Sequence, residues 1–378
     1  MAQMNGQCGT QFDELQSILS ASFDSGGDLG ASVAVVHKGE LVVDIWGGYC
    51  DIEQSKPWAS DTITNVWSST KTMTSLCALV LADRGELDMH APVSRYWPEF
   101  AAAGKADIPV RDLMSHTAGL PGWQEPITLE DLYDWEKCTA LLAAQEPWWE
   151  PGTASGYHAF SQGYLVGEVV RRISGRSLGA FFAEEIAEPL GADFYIGLDA
   201  EHEHRVSLIV PPTGALPLSD DQSSPSYKTF MNPPLDPLFA HDRGWRAAEI
   251  PAANGQGNAR GAALAQAVVA HGGEFNGVRL LSSETIDLIF EEQAQGNDIV
   301  LGMPLRFGIG YGLPNESLPY LPDRRICFWG GWGGSLVIID TDRQLVFTYM
   351  MNKMGDGTVG DARGAALITA LYKALDDG

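Results

Sequence analysis

Basic residues are scarce in this chain. Its 378 residues carry 24 Lys and Arg against 49 Asp and Glu, a formal net charge of −25. A surface of that sign repels phosphate backbones and anionic headgroups, which argues against nucleic acid and membrane surfaces as partners. No apolar run approaches the roughly 20 residues that cross a bilayer. Cysteines are few and scattered: Cys8, Cys50, Cys77, Cys138 and Cys327, an odd number without metal-type spacing. Reduced thiols in a cytoplasm account for them simply. The first residues also lack the basic-then-apolar pattern of a secretion signal. A cytoplasmic protein with no metal is therefore expected. Internal repeats are absent as well. What remains is an ordinary 45% of apolar residues and a length that suits two domains, or one with a large insertion.

Ser68-Ser69-Thr70-Lys71 carries the first chemical signal. A serine three residues before a lysine puts hydroxyl and amine on one helical face, about a turn apart. An amine so placed can take the proton of an alcohol nucleophile without a histidine. Lys71 is the only lysine in the chain with a serine at that spacing. The same four residues also describe a surface helix start, with Ser68 as cap and Lys71 in solvent. Their surroundings decide between the two. Thr62 to Trp67 is a β-type run, and beyond Lys71 the residues Met73, Leu76, Cys77, Leu79, Val80 and Leu81 leave a helix almost no polar face. Such a helix is buried. Burial disfavours an ammonium and lowers its pKa, as a lysine base requires. The helix start adds free backbone N–H groups for a developing oxyanion.

The rest of the pattern gives an α+β fold. Thr10 reads as an N-cap with Asp13 three residues on, ahead of an amphipathic helix through Phe12, Leu15, Ile18 and Leu19. Ala31 to Val36 and Leu41 to Trp46 flank the turn His37-Lys38-Gly39-Glu40. Ser335 to Ile339 and Leu345 to Met351 flank a second turn, and a last helix runs from Ala362 to Leu375. Hairpins at both ends with helices outside them imply one antiparallel sheet built from the two termini. The expected division is 1–70 with 246–378 around that sheet, and 71–245 as a mostly helical insertion. Pro211 to Pro237, rich in Pro, Ser and Asp, reads as a long loop.

Gly175-Arg176-Ser177-Leu178-Gly179 fits the G-x-S-x-G nucleophile elbow, which needs a strand before it. Leu165, Val166, Val169, Val170 and Ile173 precede it at helical spacing, so Gly175 ends a helix and Ser177 caps the next. His116 is expected to pack under the helix of Ser68, and His158 to make a structural hydrogen bond. Trp123, Trp148, Trp149 and Trp332 hint at an aromatic pocket.

Val66-Trp67-Ser68-Ser69-Thr70-Lys71 resembles the first motif of the serine β-lactamase and penicillin-binding protein superfamily. Arg84-Gly85-Glu86-Leu87-Asp88, Ala91-Pro92-Val93 and Tyr96-Trp97-Pro98-Glu99 resemble the segments C-terminal to that motif in the class C-like branch. Val110 to Pro121 is similar to that branch's Leu-Leu-Thr-His-Thr-Ser-Gly-Leu-Pro segment. Tyr157-His158-Ala159, after Trp149-Glu150-Pro151-Gly152, falls where the second motif, Tyr-x-Asn, stands. Phe328-Trp329-Gly330-Gly331-Trp332 fits the third. The resemblance runs from about residue 10 to the C-terminus, and it is nearest to the β-lactamase-like carboxylesterases called family VIII. It implies a β-lactamase/transpeptidase-like fold and hydrolysis of short to medium acyl esters through an acyl-enzyme, with no cofactor.

The implied catalytic residues are Ser68, Lys71 and Tyr157. The oxyanion and substrate-binding residues are Ser68, Trp329, Gly330, Gly331 and Trp332, with the N–H groups of Ser68 and Trp332 as donors. A phenol near a buried ammonium has its anion favoured, so Tyr157 is expected to act as a base or relay. Two departures bear on substrate. Ala159 replaces the asparagine, and Trp329 stands where β-lactamases carry a lysine that helps hold the β-lactam carboxylate. Both favour neutral esters; Arg306 and Arg260 are the nearest candidates to supply a cation instead. An acyltransferase, a β-lactamase or a D-amino-acid peptidase on the same site is the alternative. The oligomeric state is not legible.

Overall fold

The hairpins at the two ends of the chain form one six-stranded antiparallel sheet in the computed structural model, which describes residues 3–214 and 219–377. Its order is Met4–Cys8, Glu40–Gly48, Gly30–His37, Leu345–Met351, Leu336–Asp340, Ile326–Gly330. The strand Gly30–His37 joins the halves, with Val35 opposite Phe347. It and Leu345–Met351 are buried almost throughout, as their continuous apolar runs require of strands covered on both faces. Thr348 and Tyr349 show the two faces. The Thr348 hydroxyl donates to the carbonyl of Ala259 at 2.7 Å, on the helix Ala259–Ala270, whereas the Tyr349 hydroxyl donates to Asp28 at 2.6 Å on the other side. There the helices Asp13–Ser25 and Ala362–Asp377 pack together, the latter bonding the sheet through Tyr372 and Asp340.

The helix Thr70–Asp83 is buried at every residue from Thr70 to Leu81. It lies between the sheet side, touching Ile326–Gly330 and Ala259–Ala270, and the helices Ser161–Ser174 and Leu178–Phe182 of the intervening segment. That position places the Ser68–Lys71 motif between the sheet-side elements and those helices.

Three local expectations are corrected. Thr10 is not an N-cap: it lies inside a 3-10 turn, Thr10–Phe12, and no side chain caps the helix that starts at Asp13. The turn is closed by Phe12 N–H donating to the Gly9 carbonyl at 2.7 Å, so the chain is already wound when it reaches Asp13. Only Thr64–Asn65 of the Thr62–Trp67 run is a strand, paired with Gln256–Gly257. The Pro211–Pro237 segment, of which 215–218 lie outside the described residues, contains a helix, Pro225–Met231. Ser224 caps it by accepting from Tyr227 N–H, and Pro225 supplies the pre-set first turn. The elbow-like Ser177 is a cap as expected: Gly175 closes the helix Ser161–Ser174 at φ +72°, and Ser177 accepts from Ala180 N–H at 3.3 Å.

Candidate active site

A strained turn presents the serine. Trp67 has φ +50°, a left-handed conformation that costs a non-glycine residue about 1–2 kcal/mol. One local and two long-range bonds hold it there. Val66 N–H donates to the Gly255 carbonyl at 2.9 Å, the Thr70 hydroxyl donates to the Trp67 carbonyl at 2.5 Å, and the Ser335 hydroxyl donates to the Val66 carbonyl at 2.7 Å. Ser335 also meets the Ser69 hydroxyl at 2.9 Å, tying the turn to the start of the strand Leu336–Asp340. Gly331 is required for that approach, because a Cβ there would collide with the Val66 carbonyl and lie 3.3 Å from the Ser68 nitrogen.

Lys71 and Tyr157 converge on the Ser68 hydroxyl. Lys71 Nζ is 3.4 Å from Ser68 Oγ, and the Tyr157 hydroxyl donates to Ser68 Oγ at 2.5 Å. Two more bonds run from Nζ to the carbonyls of Ala159, at 2.7 Å, and Ala252, at 2.9 Å. A neutral amine has two N–H groups; with both on carbonyls, its lone pair is left for Ser68. Burial, with no carboxylate partner, holds the Lys71 pKa well below its usual value. The amine also lies 4.6 Å from the Tyr157 ring centroid, over the ring face.

The expectation of a favoured phenolate is not met. Burial pushes the Tyr157 pKa up, outweighing the hydrogen bond with Ser68 that opposes it. With Lys71 itself poorly able to hold charge, there is no firm ammonium to stabilise an anion, and Tyr157 rests as a neutral donor. The histidines are neutral too. His158 accepts from Leu120 N–H at 3.1 Å and faces the Gly156 carbonyl at 2.6 Å, a structural pair of bonds, and burial pulls its pKa down to about 3. His116 packs beside Tyr157, ring centroids 4.9 Å apart, and burial lowers its pKa well below the usual value.

Neither the Ser68 nor the Trp332 backbone N–H has a hydrogen-bond partner among the described residues. The pocket in front of Ser68 is walled by Trp67, Phe160, Phe230, Leu235, Leu301 and Trp332, with Ala159, Ala253 and Thr358, and no charged side chain lines it. It leaves about 30 Å³ for the centres of water-sized molecules.

Of the four tryptophans expected at a pocket, Trp332 lines this one, while Trp123 and Trp148 line a separate surface cleft. Trp149 bonds the Ala154 carbonyl. Trp329 lies behind Tyr157, packed against His116, Phe307 and Phe328, its indole N–H buried without a hydrogen-bond partner. Gly330 ends the strand Ile326–Gly330, and Gly331 N–H donates to the Ser335 carbonyl at 2.8 Å. Arg306 and Arg260 are no substitute cations: the first pairs with Glu292 and the second with Asp44, both at 2.6–2.7 Å. Sequence reasoning missed Phe230, on the helix Pro225–Met231, and Leu235, Leu301 and Thr358, on loops with no motif. The Ser224-Pro225 start of the helix bearing Phe230 was the one available signal. No group of metal-ligating side chains occurs among the described residues, and no helix there is long and apolar enough to cross a membrane.

Comparison with known proteins agrees with this architecture. A family model described as Beta-lactamase matches residues 15–371. The Esterase/beta-lactamase LipL of Mycobacterium tuberculosis (strain ATCC 25618 / H37Rv) is 35% identical over 340 residues, covering 86% of this chain and 77% of its own. A crystal structure of a family VIII carboxylesterase is similar at 44% identity and a TM-score of 0.93, over 98% of this chain and 100% of that one. A penicillin-binding protein homologue from Caulobacter crescentus is similar at 35% identity and a TM-score of 0.92, with the same coverage, 98% and 100%.

Proposed function

The chain belongs to the beta-lactamase family, and from that premise we propose that it is a serine carboxylesterase cleaving neutral esters of short to medium acyl chains. The observation that carries the reading is the convergence of Lys71 and Tyr157 on Ser68 Oγ beside an uncharged pocket. Ser68 attacks the ester carbonyl as its proton passes to Lys71. The N–H groups of Ser68 and Trp332 hold the tetrahedral oxyanion; losing one such donor costs about 2.7–4 kcal/mol of barrier. Tyr157 gives its proton to the leaving alkoxide and regains one from Lys71. Water, deprotonated by the same relay, then hydrolyses the acyl-enzyme. No cofactor enters any step. An acyltransferase, β-lactamase or D-amino-acid peptidase would use the same groups and differ in leaving group or acceptor.

Mass spectrometry of the intact protein mixed with p-nitrophenyl butyrate should trap an acyl adduct, mapped by digestion to Ser68. In parallel, kcat/KM for the butyrate should exceed that for nitrocefin by at least about a hundredfold, because the β-lactam carboxylate would enter an uncharged wall unpaired. A preference for nitrocefin would reject the ester reading in favour of a β-lactamase.

The pH profile supplies a second test. Lys71 acts as a base only when unprotonated, and burial lowers its pKa, so it stays competent to lower pH than an ordinary lysine and activity falls as pH drops through that lowered value. Burial lowers the pKa of His116 and His158 as well, keeping both from the protonated form. An acid limb in kcat/KM is the expected result; activity that instead rises toward acid would exclude a neutral amine as base.

A further inference from the structure

Tyr157 belongs to no helix or strand, yet its hydroxyl must stand within hydrogen-bond reach of Ser68. Three successive backbone N–H groups are tethered instead. Gly156 N–H donates to the His116 carbonyl at 2.9 Å, Tyr157 N–H to Asp298 Oδ1 at 3.0 Å, and His158 N–H to His116 Nδ1 at 3.1 Å. The two flanking tethers come from one residue; the central one, on Tyr157 itself, comes from Asp298.

Asp298 follows the strand Ala294–Asn297 and is fully buried. Its Oδ1 also accepts from Val300 N–H at 3.0 Å and Leu301 N–H at 2.9 Å, closing the turn that puts Leu301 in the pocket wall. The same turn sends Ile299 N–H to the Ser155 carbonyl at 3.0 Å, two residues before Tyr157. Oδ2 has no hydrogen-bond partner. Every bond made by this carboxylate therefore runs through one oxygen, and that oxygen joins the tyrosine to a wall of the pocket.

We propose that Asp298 is a positioning residue for the reaction, holding the Tyr157 hydroxyl on Ser68. The inference rests on the reading of Tyr157 as the proton relay. Placement by ångströms is what proton transfer depends on, and a shift of about 1 Å costs on the order of a hundredfold in rate. Asparagine keeps an oxygen at the Oδ1 position and changes only the atom that bonds nothing; alanine removes the acceptor from three buried N–H groups at once.

The test is a double-mutant cycle with p-nitrophenyl butyrate in the full chain, with folding checked by circular dichroism. Asp298→Ala should lower kcat about 10–100-fold, while Asp298→Asn stays within about threefold of the parent. In a Tyr157→Phe background, Asp298→Ala should change kcat by less than about threefold, since no hydroxyl remains to be placed. If the alanine variant does not fold, Asp298→Ser, whose shorter side chain falls back from Tyr157 N–H, must show the same background dependence. Equal losses in both backgrounds would make Asp298 merely structural and overturn the proposal, as would a kcat for Asp298→Ala within about threefold of the parent. A Tyr157→Phe enzyme of near-parental kcat would overturn the relay reading, and this inference with it. An impaired Tyr157→Phe beside an unaffected Asp298→Ala would overturn the inference alone.

Discussion

Ser68→Ala is expected to abolish ester hydrolysis in a protein that still folds. Loss of a serine nucleophile costs on the order of 10⁶-fold in kcat where it has been removed from other hydrolases, because what remains is the oxyanion hole and binding alone. Folding should survive. The serine hydroxyl contacts Tyr157 and Lys71, and Lys71 keeps its bonds to the Ala159 and Ala252 carbonyls. The strained Trp67 turn is held by Ser335, Thr70 and Gly255, none of which touches the Ser68 hydroxyl. Ser177→Ala is the matched control. That serine caps a helix and meets Glu249 at 2.5 Å, so alanine should cost about 1 kcal/mol of stability and leave turnover largely intact. Initial rates of p-nitrophenyl butyrate hydrolysis and thermal melts for both variants would decide the matter. An inactive, folded Ser177→Ala beside an active Ser68→Ala would assign the nucleophile to the wrong serine.

Lys71→Ala and Tyr157→Phe carry the second-largest expected losses, each about 10²–10⁴-fold in kcat, the usual worth of a placed acid or base. The tyrosine variant is the cleaner. Phenylalanine keeps the ring contacts with His116 and Trp329 and removes only the hydroxyl bonded to Ser68. Lys71→Ala also strips a donor from two buried carbonyls and leaves a void, so a stability loss accompanies it. Lys71→Met, closer in volume, separates the two effects: activity lost to the same extent with stability largely recovered points to the amine as base. Losses below about tenfold at both positions would sink the relay and require another base, and both nearby histidines are held neutral by burial.

Much of this site was legible before any coordinates. The Ser68–Lys71 spacing is a property of one helical turn, so a few consecutive residues carry it, and the apolar run from Met73 to Leu81 already requires the burial that lowers the Lys71 pKa. The hairpins and the last helix come from periodicities of about two and 3.6, which are equally local. Tertiary structure decided the rest. Tyr157 reaches Ser68 across 89 residues and Lys71 finds Ala252 across 181, pairings that leave no periodic trace in the chain. Whether Tyr157 rests as phenol or phenolate depended on how much water and charge surround it, and burial gave the phenol. The tether from Asp298, the left-handed Trp67 and the wall built from Phe230 and Leu301 depend on segments brought together from distant parts of the chain. Local geometry set Ser68 and Lys71 one helical turn apart in consecutive residues; only long-range packing brought Tyr157 to them and shaped the pocket in front of Ser68.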